Sequence, residues 1–293
     1  MYRGHQAAVA AQLDGAQGYH AAQSSMDVEF AQLSDTGRVR QKNEDYLGSF
    51  TPGSIEEARA RGWLFALADG VGGHDFGEVA SKAAIDSLVA GFRECAPAEP
   101  HSTLLTRLVR TANARVLGAG VSMRGASGPS MSMATTVVAC ALRYDRATVA
   151  HVGDSRCYLI RRGQANLITR DHTLANEQVR LKLLTKEEAE KSDNRHALSR
   201  SLGTELTVNV ELNEHQVFTG DVLVLCSDGL HGSVSGAEMA ALTSNAGDLV
   251  AAARQLVDIA NQRDGSDNIS LQLIRVRSVE RVAMYRGRPY RLP

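Results

Sequence analysis

Four aspartates stand where apolar runs stop or start. "LFALADG" closes on Asp69, "VAHVGDS" on Asp154 and "LVLCSDG" on Asp228, while "GSDNISLQL" opens from Asp267. Upstream, "RVRQKNEDY" adds Arg40, Glu44 and Asp45. A single aspartate at a strand end forms a turn or caps a helix. Several converging carboxylates are a different matter, because two of them about 4 Å apart repel by roughly 4 kcal/mol at an effective dielectric of about 20. Either some carry protons or a cation neutralises them. Oxygen donors without Cys or His favour a hard ion, Mg²⁺ or Mn²⁺, over zinc. Two such ions about 3.5–4 Å apart form the clamp used for phosphoester hydrolysis.

The stretch "FALADGVGGHDFGEVAS" (65–81) follows its aspartate with three glycines in four residues. Without a Cβ, Gly70 lets its carbonyl approach an ion, and Gly72 and Gly73 permit positive φ as the chain turns into a helix. Ordinary tight-turn chemistry is the alternative, above all for Gly73. The glycines do not spell a dinucleotide fingerprint, since Asp75 stands where its last Gly would fall, and no Lys-Ser/Thr pair completes a P-loop. Cys140 and Arg146 have the C-x5-R spacing of thiol phosphatases, but "CALRYDR" lacks the Gly or Ser of a phosphate cradle and reads as a hairpin turn.

The elements that must carry these residues follow from periodicity. Strands are expected at 28–34, 63–69, 135–142, 147–154, 156–162, 221–228 and 268–276, the pair around "RYDR" forming a hairpin. The strand ending at Asp154 is a candidate neighbour of the one ending at Asp69. Helices are expected at 78–92, 104–117 and 248–260. Antiparallel strands with intervening helices favour α+β layers over a doubly wound parallel sheet. Residues 1–25 read as a mobile extension, with Met26 as an alternative start, 26–277 as one domain, and 278–293 as a basic tail.

With 43% apolar and 22% charged residues and a net charge of −1, the chain has an ordinary globular composition and no basic surface for nucleic acid. No apolar run approaches membrane-spanning length. The four cysteines have no C-x-x-C spacing and read as buried reduced thiols of a cytoplasmic protein.

In order along the chain, "SDTGRVRQKNEDY", "FALADGVGGHDFGEVAS", "MATTVVA", "AHVGDSRCYLIRRG", "LITRDHTL", "ALSRSLGTE", "DVLVLCSDGLHG" and "GSDNISL" resemble successive motifs of the type 2C, metal-dependent (PPM) Ser/Thr protein phosphatases. The likeness spans residues 27–276, and "GGH" is closer to the bacterial members. It implies an α+β fold: a β-sandwich of two antiparallel sheets flanked by helices, four layers deep, with a binuclear Mn²⁺ or Mg²⁺ centre at one end. By the resemblance, Asp69 bridges the two ions, Gly70 offers its carbonyl, and Asp228 and Asp267 hold the other ion. Glu44 and Asp45 then bind directly or through metal-bound water. Arg40 grips the substrate phosphate with its planar fork of donors. Asp154, with Asp228, matches a third, weaker ion site of bacterial relatives, and the polar segment 176–195 matches their mobile flap.

Two departures stand out. Many eukaryotic members have His two residues after the bridging Asp, proposed as the leaving-group acid, where this chain has Val71; His74 is the nearest imidazole, as candidate acid or packing residue. The family's "GMGTT" reads "SMATT", with Ser132 and Ala134 in place of two glycines. The implied mechanism has no phosphoenzyme. Water bridging the ions attacks phosphorus in line, and His74 or metal-bound water protonates the leaving alkoxide. The implied partners are Ser/Thr-phosphorylated proteins, including kinases and their substrates. An inactive phosphoprotein-binding regulator would lack a ligand position, and none is missing. A two-metal nuclease would need a basic-aromatic groove.

Overall fold

The computed structural model describes residues 25–71, 76–123, 133–285 and 288–291. Most of the expected N-terminal extension, and Gly72, Gly73, His74 and Ser132, lie outside the described residues.

The fold is α+β, with two five-stranded antiparallel sheets. One sheet holds, in spatial order, β1 (Asp27–Asp35), β10 (Ile269–Ser278), β9 (Val222–Cys226), β6 (Arg156–Arg161) and β7 (Gln164–Leu167). The other holds β2 (Asp45–Phe50), β3 (Trp63–Asp69), β4 (Val137–Arg143), β5 (Arg146–Val152) and β8 (Glu211–Gln216). Between them in sequence lie α1 (Ile55–Ala60), α2 (Gly77–Arg93), α3 (His101–Met123), α4 (Leu174–Arg180), α5 (Lys186–Glu190), α6 (Asp228–His231), α7 (Gly236–Thr243) and α8 (Leu249–Arg263). A separate hairpin, β11 (Val282–Tyr285) and β12 (Arg288–Arg291), occupies the segment read as a basic tail.

Strand β3 shows why the layers form. Its residues alternate faces with the strand period of two. Leu64, Ala66 and Ala68 pack with Ile85 and Leu88 of α2 and Leu105 of α3. Phe65 and Leu67 point the other way, into a core shared with Leu223, Leu225 and Ile274 of the opposite sheet. Covered on both faces, β3 is a continuous apolar run that turns polar only at Asp69. The second sheet repeats the pattern: Val222, Val224 and Cys226 pack with Met239 of α7 and Leu256 of α8. The order is therefore helices, sheet, sheet, helices.

Two sequence expectations are adjusted. β5 ends at Val152 because the chain turns at Gly153, whose φ is +108° and whose missing Cβ leaves room for Thr136. β4 lies between β3 and β5, so the strand leading to Asp154 is not a neighbour of β3. The Cys140–Arg146 spacing is a hairpin, as expected: Arg143 pairs with Arg146 across the β4–β5 turn. Cys140 is fully buried between the sheets, and desolvation pushes its thiol up to about 12. All four cysteines are buried and free. No helix among the described residues is long and apolar enough to cross a membrane.

Candidate metal centre

Four strands bring acidic residues to one end of the sandwich. Asp45 opens β2 directly opposite Asp69, the last residue of β3. Asp228 follows β9, across one residue, as the first residue of α6, and Asp267 precedes β10, the neighbour of β9. Asp154 sits in the crossover from β5 to β6, where the chain passes between sheets.

Backbone clamps hold these positions. The Asp69 carbonyl accepts from the Thr135 hydroxyl and the Thr136 N–H, both at 2.8 Å, and the Thr136 hydroxyl accepts from the Asp69 N–H at 3.1 Å. That hydroxyl also contacts Ser155 at 2.7 Å, linking the Asp154 crossover to Asp69. The Gly70 N–H donates to the Glu44 carbonyl at 3.0 Å. A Cβ on Gly70 would stand 2.6 Å from the Gly77 carbonyl and 2.8 Å from that of Glu44, so only glycine fits. Asn268 brackets the 36–44 loop: its Oδ1 accepts from the Glu44 N–H at 2.8 Å, and its Nδ2 donates to the carbonyls of Thr36 and Lys42 at 2.9 and 3.0 Å.

The carboxylates themselves are poorly satisfied. Asp45 accepts from the Ser227 hydroxyl at 2.8 Å, but its Oδ1 is buried without a partner among the described residues. Burial pushes Asp45 up to about 7 against its two serine hydrogen bonds, with Asp228 and Asp267 adding to the rise. Burial likewise holds Asp69 well above the carboxylate range, reinforced by Asp45, Asp228, Asp154 and Asp267. Asp228 is raised by burial and then by Asp267, against a hydrogen bond with Asp69. Asp154 is pushed up to about 7 by burial and then by Asp228 and Asp171. Glu44 is raised by burial and then by Glu78. Arg40 reaches the edge of this field, its Nη2 2.8 Å from Asp267 Oδ2, with both side chains over a third exposed. Buried carboxylates that raise one another's proton affinity, one with an orphaned oxygen, fit divalent cations bound by oxygen.

Sequence reasoning did not single out Thr135, Thr136, Ser227 or Asn268, although all lie inside the quoted motifs. It also passed over two imidazoles. His231 sits with Nε2 3.1 Å from the Asp154 carbonyl, and His196 is near enough to Asp228 to favour its ionised form. Segment 176–195 runs from α4 through α5, each capped by a threonine, Thr173 and Thr185.

A second group draws attention as a metal site: the possible ligand atoms of His151, His172 and Glu211 lie within 4.8 Å of one another. Its geometry argues otherwise. The imidazoles stack with centroids 4.7 Å apart and planes 13° apart, so their in-plane lone pairs run side by side instead of converging. Guanidinium groups already stand there, Arg170 at 2.9 Å from Glu211 and Arg200 at 3.4 Å from His172.

Residues 30–273 match the family model described as protein phosphatase 2C. The chain belongs to the protein phosphatase 2C family. It is 34% identical over 266 residues to the serine/threonine phosphatase stp of Listeria innocua, covering 90% of this chain and 99% of that protein. The solved serine/threonine phosphatase of S. agalactiae superposes with a TM-score of 0.76 at 32% identity, covering 85% of this chain and 100% of that one. The catalytic domain of the phosphatase PstP, solved in complex with two manganese ions, has a TM-score of 0.71 at 31% identity, over 86% of this chain and all of that one.

Proposed function

We propose that the protein is a divalent-metal-dependent phosphatase of phosphoserine and phosphothreonine in proteins, acting in the cytoplasm in signalling by Ser/Thr kinases. The observation that carries this reading is the set of desolvated aspartates, Asp45, Asp69, Asp154 and Asp228, gathered without a salt bridge among the described residues in a chain of this family. Relatives named serine/threonine phosphatases over nearly their whole length support it.

Asp69, Gly70, Asp228 and Asp267, with Glu44 and Asp45 directly or through water, are the residues to hold two Mn²⁺ or Mg²⁺ ions. Such ions lower the pKa of bound water and neutralise phosphoryl charge. The chain's own residues do the rest. Arg40 stands at the exposed rim, where its fork can exchange Asp267 for phosphoryl oxygens and align the phosphate for in-line attack. The threonine and asparagine clamps keep the carboxylates from drifting apart under their own repulsion. Asp154, with Asp228, is the candidate for a third and weaker ion, and segment 176–195 is the candidate flap. The leaving alkoxide takes its proton from His74 or from water. An inactive phosphoprotein-binding regulator would need a missing carboxylate, and every one is present.

The direct test is hydrolysis of a phosphothreonine peptide with Mn²⁺, with Mg²⁺ and with excess chelator. Turnover with either ion and its loss in chelator are expected; full turnover in chelator overturns the reading.

A further inference from the structure

The rim of the acidic centre contains one carboxylate that neither the resemblance nor the proposed ligand set uses. Glu78 is the second residue of α2 and directly follows Gly77. Its Oε1 accepts from the Lys42 ammonium at 2.7 Å, while its Oε2 is buried and has no hydrogen-bond partner among the described residues. Glu44 lies immediately alongside. A Cβ on Gly77 would stand 3.0 Å from the Glu44 Cδ and 3.1 and 3.2 Å from its two oxygens. The Glu44 carboxylate thus packs against Gly77, the residue next to Glu78 in the chain, where a side chain would crowd it. Lys42 is the ion-pair partner of Glu78, its side chain 69% exposed against 31% for Glu78. After burial, Glu78 is the strongest influence raising Glu44, and Lys42 opposes it more weakly.

We infer that Glu78 is a positioning residue of the divalent-ion centre, adding a negative charge beside Glu44 that Lys42 trims, so that the pair sets how tightly the centre holds its ions. This rests on the metal-dependent reading above. It acts through the field: a second carboxylate near an ion site favours the cation, and a nearby ammonium disfavours it. A pair that served only to fasten α2 to the 36–44 loop would behave differently, because breaking it from either side would have the same consequence.

The sign of two variants separates these roles. Mn²⁺ affinity is measured by calorimetry on chelator-treated protein of the full chain, at one pH and low salt. Glu78→Gln should weaken Mn²⁺ binding about three- to tenfold, and Lys42→Gln should tighten it about two- to fivefold. Both shifts should shrink in high salt as screening grows. Shifts in the same direction, or none, overturn the inference. If Glu78→Gln does not fold, Lys42→Gln alone decides, since its side chain is mostly in solvent, and unchanged or weaker binding overturns the proposal. A parent that binds no Mn²⁺ and hydrolyses no phosphopeptide removes the reading of the centre itself, a different failure from that of Glu78.

Discussion

Asp221 is buried and Asp171 is mostly so, in the same domain as Asp45, Asp69, Asp154 and Asp228, yet each has a salt bridge that those four lack among the described residues. Arg156 grips Asp171 through two hydrogen bonds of 2.9 and 2.7 Å, and Arg161 grips Asp221 with the same two lengths. These are bidentate pairs that complete each charge within the fold. The four aspartates of the acidic end have hydroxyls, backbone amides and one another, but no Arg or Lys within ion-pair distance among the described residues. Two solutions to a buried carboxylate therefore coexist. One is closed by the chain itself and serves stability. The other is left open, and the open one lies where a cation has to come from outside.

The largest effect that would break this contrast comes from neutralising one member of each group. Asp69→Asn should reduce kcat/KM on a phosphothreonine peptide by at least about a hundredfold, in line with losing a carboxylate that holds the ions. Its Tm in chelator should stay equal or rise, because one of several repelling charges is gone. Asp171→Asn should do the reverse, leaving Arg156 unpaired at about 3–5 kcal/mol and lowering Tm by roughly 5–10 °C with or without ions. Peptide turnover and thermal melts on both variants check the pair; equal melting losses would erase the distinction.

Asp154→Ala comes next. If Asp154 serves a third ion, kcat should fall about tenfold with Tm in chelator nearly unchanged, and higher Mn²⁺ should restore part of it. If it only caps the Gly153–Ser155 turn, about 1 kcal/mol of stability goes instead. A destabilised variant with normal kcat at every Mn²⁺ concentration decides for the cap.

A smaller effect concerns pH. Asp45 and Asp154 bind protons in the ion-free fold up to about pH 7, well above their unfolded range. Their contribution to ion-free stability is full at acid pH and lost as pH rises through about 4 to 7. His101, His172 and His231, pushed down to about 4 by desolvation, act in the opposite sense over part of that window. Subtracting the Tm in chelator from that in Mn²⁺ cancels the histidines. The difference should grow by a few degrees from pH 5.5 to pH 7.5, as ions no longer compete with protons. A flat difference would mean that these carboxylates do not meet the ions. The smallest effect is that of Cys140→Ser: turnover within about threefold of the parent and a loss confined to stability, from burying a hydroxyl. Abolished turnover in a folded variant would contradict its place between the sheets.

What could be read from the chain alone was whatever a local pattern records. The central strands β3, β4 and β9 are continuous apolar runs because both their faces are covered, and β10 alternates apolar with polar residues over its first five positions. A charged residue at the end of such a run is conspicuous, which is how Asp69, Asp228 and Asp267 came forward, and the β4–β5 hairpin was legible for the same reason. The strands of the two five-stranded sheets that escaped notice, β2, β7 and β8, are all sheet edges. "DYLGSF", "QANL" and "ELNEHQ" are short, half-exposed and polar, as edge strands tend to be, so neither hydrophobicity nor strict alternation marks them. Only the tertiary structure decided which groups meet. The β2–β3 register sets Asp45 against Asp69, and Asn268 reaches back 226 residues to hold the Lys42 carbonyl. Lys42 finds Glu78, while Arg156 finds Asp171. Residue type fixes which charges a chain must accommodate. Whether each is closed by an arginine or left open for an ion depends on contacts between distant segments, which no local pattern encodes.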